Sequence, residues 1–161
     1  GRPLQETVER VWDLGGVAVV PHPFQRSRHG VRKRNIGDCD GIEVYNSMLF
    51  TGYRNRRARA FADRRGYAQL GASDAHSIRN VGRAYTEIGL DGVGPDTPAG
   101  EIDGERVVDA IREGDTDLWG KRTPINRSAR QYAKGATRKS AYLLTATLPF
   151  VQPWPASMRN G

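Results

Sequence analysis

The sequence predicts an α/β fold of parallel strand–helix units. Three observations carry that reading. Continuous apolar runs such as Val17-Ala18-Val19-Val20 have the composition of strands covered on both faces. These runs alternate with amphipathic stretches of helical period. Polar, ligand-type residues (His22, Asn46, Asp74 and His76) fall where strands end, and in parallel α/β folds ligands gather at the carboxyl ends of the strands.

Leu4 to Leu14 reads as an amphipathic helix, with Leu4, Val8, Val11 and Trp12 on one face. Gly15-Gly16 ends it. Val17 to Val20 is the first strand, stopped by Pro21-His22-Pro23-Phe24 because neither proline can donate to a ladder. The prolines also fix the backbone around His22. Arg26 to Asp40 is a long polar loop. Gly41 to Tyr45 is the second strand, with Asn46 at its end. Tyr53 to Arg65 is a helix with Ala58, Phe61 and Ala62 inward and arginines outward, closed by Gly66. Tyr67 to Ala72 is a buried strand whose small-residue turn presents Asp74 and His76 two positions apart. Such a pair offers an oxygen and a nitrogen ligand to a divalent metal, although a helix-capping turn explains Asp-x-His equally simply. Arg83 to Ile88 and Thr116 to Trp119 are short strand candidates, Gly89 to Gly104 an exposed linker, and Glu105 to Glu113 a short helix. Arg127 to Leu144 has helical spacing, with Ala129, Tyr132, Ala136 and Leu143 opposite Arg127, Arg130, Lys134 and Arg138. Pro149, Pro153 and Pro155 forbid regular structure beyond it.

With 161 residues the chain can bury one ordinary core. The lone Cys39 excludes an internal disulfide, and no apolar run is long enough to span a bilayer. A cytoplasmic location without stable membrane insertion is the expectation; a basic helix lying on an anionic membrane is disfavoured by its small, alanine-rich apolar face. The oligomeric state is not encoded in any pattern here. The net charge of +7 is unevenly distributed. Arg26, Arg28, Arg32, Lys33 and Arg34 form one basic cluster, and Arg54 to Arg65 another. Such clusters attract phosphate-bearing partners, with a solvated arginine-rich surface as the competing explanation.

The strand into Pro21-His22-Pro23-Phe24, the segment Asp40-Gly41-Ile42-Glu43-Val44-Tyr45-Asn46, and Gly71-Ala72-Ser73-Asp74-Ala75-His76 followed by Val81-Gly82 together resemble the carboxyl-terminal half of a PHP (polymerase and histidinol phosphatase) domain. Residues 105–125 resemble the PHP-associated region that follows it. The resemblance implies the later β/α units of a distorted (β/α)7 barrel with a small C-terminal helical extension. It divides the chain into a metal-dependent phosphoesterase part (1–90), a PHP-associated region (91–125) and a basic helix with a proline-rich tail (126–161). It also implies two or three divalent ions, Mn, Zn or Fe, with His22, Asp74 and His76 as ligands. Glu43 matches a strand-end glutamate without an assigned role, and no other catalytic residue is assigned. The family's first motif, His-x-His, is absent, as is the second-motif histidine; His22, His29 and His76 are the chain's histidines. The chain therefore looks like a piece of a longer protein or a degenerate relative.

Two further residues are substrate-binding candidates. Arg26 can grip a phosphate oxygen through its planar fork, or make a surface salt bridge. Asn46 can hydrogen-bond substrate or a metal ligand, or cap a turn. The expected activity is hydrolysis of a phosphomonoester or phosphodiester, of a nucleotide or oligonucleotide, with the chain alone weakly active or inactive. The alternative is a non-catalytic nucleic-acid-binding module.

Overall fold

The computed structural model describes residues 2–25 and 30–146. The chain divides into two units, Gly1–Arg122 and Thr123–Gly161. Arg26 and His29 fall outside the described residues, as does the proline-rich tail from residue 147 onward.

The first unit is a mixed α/β structure. Its elements are α1 (Leu4–Asp13), β1 (Val19–Val20), β2 (Gly41–Asn46), α2 (Tyr53–Arg65), β3 (Ala68–Ala72), β4 (Ala84–Ile88), α3 (Gly104–Glu113) and β5 (Thr116–Gly120). β1, β2 and β3 form a parallel sheet in that order, and β4 and β5 form a separate antiparallel pair. Among the described residues the strands make two open sheets and no closed barrel.

The core lies between β2 and α2. Ile42 and Val44 pack with Ala58, Phe61 and Ala62, joined by Val20 and Ile36. Phe24 sets its ring edge-on to Phe61 at 5.3 Å between centroids, so the loop carrying His22 is pinned to the core two residues downstream. The arginines of α2 point outward but are not simply solvated. Arg57 lies 5.1 Å over the Phe24 ring and Arg65 5.5 Å over Phe61, roofing the core with cation–π contacts. α2 stops at Gly66, whose φ of 69° is the left-handed conformation that favours glycine.

Two expectations are corrected. The first strand is shorter than the apolar run Val17 to Val20 suggests, because the Asp40 side chain takes over at its start. Asp40 Oδ2 accepts from the Ala18 N–H at 2.6 Å and from the Trp12 indole at 2.8 Å, tying α1 to the strand. The later strands also depart from the parallel β/α pattern. Only a short 3-10 turn, Ile78–Asn80, separates β3 from β4, and a parallel crossover needs a longer connection. β4 instead pairs antiparallel with β5, Tyr85 opposite Trp119. The pair docks on β3 through side chains: Thr86 Oγ1 bonds the Gly71 backbone and Thr116 Oγ1 the Gln69 carbonyl. Gly71 permits that approach, since a Cβ there would lie 3.3 Å from both Leu118 Cβ and the Tyr85 carbonyl.

α3 opens on Asp103, whose carboxylate accepts from the Glu105 N–H, and buries Ala110 and Ile111. Its Arg112 reaches the Gly16 carbonyl at 3.0 Å. In the second unit, α4 spans Ile125–Ala146. Leu143, on the same side by spacing as Ala129 and Ala136, is 64% exposed, and both alanines are exposed as well. No helix of the described chain is long and apolar enough to cross a membrane.

Burial and the neighbouring charges of Asp40 and Asp38 push the Cys39 thiol up to about 11, against a smaller opposing effect of a hydrogen bond with the Gly41 backbone. The folded thiol therefore keeps its proton to higher pH than the unfolded one. Its contribution to stability is fully present below pH 9 and is lost as pH rises toward 11. The native protein is expected to resist alkylation by iodoacetamide at pH 8 and to react at once when unfolded. The stability difference between wild type and Cys39→Ser should shrink over the same window; native alkylation as fast as that of the unfolded chain would contradict this.

Candidate functional site at the carboxyl edge of the parallel sheet

β1, β2 and β3 run parallel, so their carboxyl ends share one edge. His22 follows β1, Asn46 ends β2, and Asp74 and His76 follow β3. Strand direction alone therefore delivers these residues to one rim. His22 and Asp74 hold positive φ angles, 49° and 50°, a conformation that costs non-glycine residues energy and collects at functional sites.

The residue that organises the rim is Glu43, which sits inside β2 and is only 7% exposed. A charge buried in an apolar strand requires partners. Glu43 Oε2 accepts from the His22 backbone N–H at 2.6 Å and lies 3.0 Å from His22 Nδ1. Its Oε1 accepts from the Asn46 amide at 3.0 Å. In a regular strand residues three apart face opposite ways. A register shift between Glu43 and Tyr45 breaks that alternation and brings Glu43 and Asn46 to the same side, the re-aiming that bulges produce beside sites.

Asn46 is 2% exposed and held from every direction. Its Oδ1 accepts from the Met48 N–H at 2.9 Å, which fixes the amide's orientation. Its Nδ2 donates to Glu43 Oε1 and, at 3.1 Å, to Asp74 Oδ2. The same nitrogen lies 3.2 Å from His22 Nδ1. Asn55 of α2 clamps the Asn46 backbone on both sides, accepting from its N–H at 3.1 Å and donating to its carbonyl at 3.2 Å. Ser47 reinforces the junction with β3 by donating to the Ser73 carbonyl.

Tautomers follow from these contacts. A carboxylate only accepts, so His22 Nδ1 carries a hydrogen toward Glu43 and the ring's lone pair resides on Nε2. Both amide hydrogens of Asn46 are then directed at the two carboxylates. His76 is exposed, and its Nδ1 lies 2.8 Å from the Asp74 carbonyl, which favours the same tautomer. Asp74 Oδ1 is 3.7 Å from that Nδ1. Histidines oriented through Nδ1 by an oxygen acceptor are the form in which imidazoles bind metals.

The structure thus brings His22, Glu43, Asn46 and Asp74 into one hydrogen-bonded group and links His76 to it through Asp74. Nitrogen and oxygen donors of this kind suit Mn, Zn or Fe. Their number is short of a closed centre: among the described residues no three of His, Cys, Asp and Glu are grouped to hold an ion. The central Asn46 nitrogen has no lone pair to offer one. A concavity of about 450 Å³ lies at the opposite end of β3 and is lined by Arg59, Tyr67, Gln69, Thr116 and Asp117. It contains no comparable set of donors.

Sequence reasoning left the role of Glu43 open and missed that of Asn55. The signal for Glu43 was present, as one acid within Gly41-Ile42-Glu43-Val44-Tyr45. Asn55 gave none, because both its partners are backbone atoms. Replacing Asn46 by alanine should cost about 2 kcal/mol, since two buried carboxylate bonds and a backbone bond are lost. Asn46→Asp should cost more at neutral pH, because three carboxylates would then face one another. Urea unfolding that ranks Asn46→Asp as no worse than Asn46→Ala would contradict the network.

Residues 52–116 match a family model described as PHP-associated. The matched stretch crosses residue 90, where the sequence reading divides the first two regions. An uncharacterized protein of Methanocaldococcus jannaschii is 32% identical over 93 residues, covering 53% of this chain and 39% of that protein. The chain thus spans about two fifths of the length of the curated relative it matches. No solved structure matches. Residues 52–116 are thus similar to a PHP-associated region, and the strand that delivers Asp74 and His76 lies within the matched stretch.

Proposed function

We propose that this chain is the later part of a metal-dependent phosphoesterase of the PHP type, acting on a phosphomonoester or phosphodiester of a nucleotide or oligonucleotide. The observation that supports the reading best is the Asn46 amide shared by His22, Glu43 and Asp74 at one sheet edge. In this reading the parallel sheet belongs to a distorted (β/α)7 barrel, and donors elsewhere in the full-length protein complete the ligand set.

Each residue then has a defined task. His22, Asp74 and His76 hold ions of Mn, Zn or Fe. Glu43 keeps His22 in the tautomer that binds, and Asn46 positions Glu43 and Asp74 from beneath, as an orienting residue more than a substrate contact. Arg26, four residues past His22, neutralises a phosphate oxygen. Bound ions would supply an acidified water and charge neutralisation on the phosphate. The assignment of residues 1–90 to the phosphoesterase part and 126–161 to a basic extension belongs to the same proposal, as does a cytoplasmic setting.

The test is phosphate release by the full-length protein, with added Mn, from p-nitrophenyl phosphate, nucleotides and short oligonucleotides. Asp74→Asn and His76→Ala are expected to abolish most turnover. Glu43→Gln is expected to lower metal affinity about 10- to 100-fold through the orientation of His22. Turnover by His76→Ala equal to wild type would remove the proposal. This chain assayed alone should be weakly active or inactive.

A further inference from the structure

We propose that the outer face of the β4–β5 pair is a stacking platform for a base of single-stranded nucleic acid, with the strand's phosphates directed toward the carboxyl edge of β3; only that direction rests on the phosphoester reading above. The inner face of the pair is occupied, because Thr86, Thr116 and Leu118 turn toward β3. Alternation therefore places Tyr85, Glu87, Asp117 and Trp119 on the outer face, and all four are exposed. Tyr85 and Trp119 stack across the strands at 5.5 Å between centroids and 23° between planes. Such a pair pins the register of two strands. Here 42% of Tyr85 and 48% of Trp119 nonetheless remain exposed, leaving a broad aromatic surface.

The charges flanking the rings differ from end to end. On one side Glu87 lies opposite Asp117. On the other, the Lys121 backbone N–H donates to the Arg83 carbonyl, and the Arg83 guanidinium donates to the Arg122 carbonyl. Arg122 also donates to the Phe50 carbonyl, just past β2. The basic end faces the candidate site. Thr86 is level with Gly71 and Thr116, opposite Ile88, is level with Gln69, so moving along β4 toward Arg83 follows β3 toward Asp74. A strand laid on this face has its base on the rings and its phosphates among Arg83, Lys121 and Arg122. The acidic end repels the reverse placement. Aromatic rings with adjacent cations fit a base and its phosphates.

The experiment is a titration of the protein with fluorescent poly-dT in EDTA, so that no turnover is required. Wild type is expected to bind, with affinity falling as salt rises. Trp119→Ala should weaken binding about tenfold, while Trp119→Phe, which keeps a ring and serves as the folding control, should retain most of it. An abasic oligonucleotide of equal length should bind wild type about as weakly as poly-dT binds Trp119→Ala. Lys121→Ala should reduce the salt slope by about one. Equal affinity for abasic and base-bearing strands, or no binding by wild type at low salt, would overturn the platform. Turnover of p-nitrophenyl phosphate, which carries no base, reports on the phosphoester reading separately, so either proposal can fail without the other.

Discussion

A carboxylate buried in the middle of an apolar strand constrains everything around it. Glu43 cannot be left without donors, and the chain answers with the His22 backbone, the His22 ring and the Asn46 amide. Meeting that demand dictates the break in register along β2, the positive φ at His22 and the amide that reaches across to Asp74. Asn55 and Ser47 then hold the strand end in place from α2 and β3. The polar group is satisfied on nearly all sides, and that makes it rigid. A rim of this kind is prepared before any ligand arrives.

Much of this was legible in the sequence because it follows from strand direction. Proline-flanked His22 and the Asp74-x-His76 turn sit at strand ends, and parallel strands must share an edge. The α2 boundaries were equally plain, because the inward Ala58, Phe61 and Ala62 and the closing Gly66 leave little choice. What could not be read depends on side chains displacing backbone ladders. Asp40 replaces part of β1, and Asn55 mimics a strand neighbour for Asn46. Neither leaves a periodic trace. The antiparallel pairing of β4 with β5 was hidden for another reason. Twenty-seven residues of turn, linker and helix separate the two strands, and nothing in either short run names its partner.

The basic character of the chain divides along the same lines. Arg57 and Arg65 of α2 cover aromatic rings, so part of that cluster serves the core while its charge still faces outward. Arg83 and Arg122 bond carbonyls and place their charge at the site edge. An arginine's planar, weakly hydrated head allows both duties at once, which lysine would perform less well.

The bond from Arg112 to the Gly16 carbonyl joins positions 96 residues apart. A chain emerging from the ribosome makes α1 and β1 long before α3 exists to latch them. Until β2 and α2 follow, the valines of the first strand remain open to any passing apolar surface. Closing so long a loop is slow compared with forming the local β2–α2–β3 unit. The turn after α1 is therefore latched only once α3 has been made, whatever holds it until then.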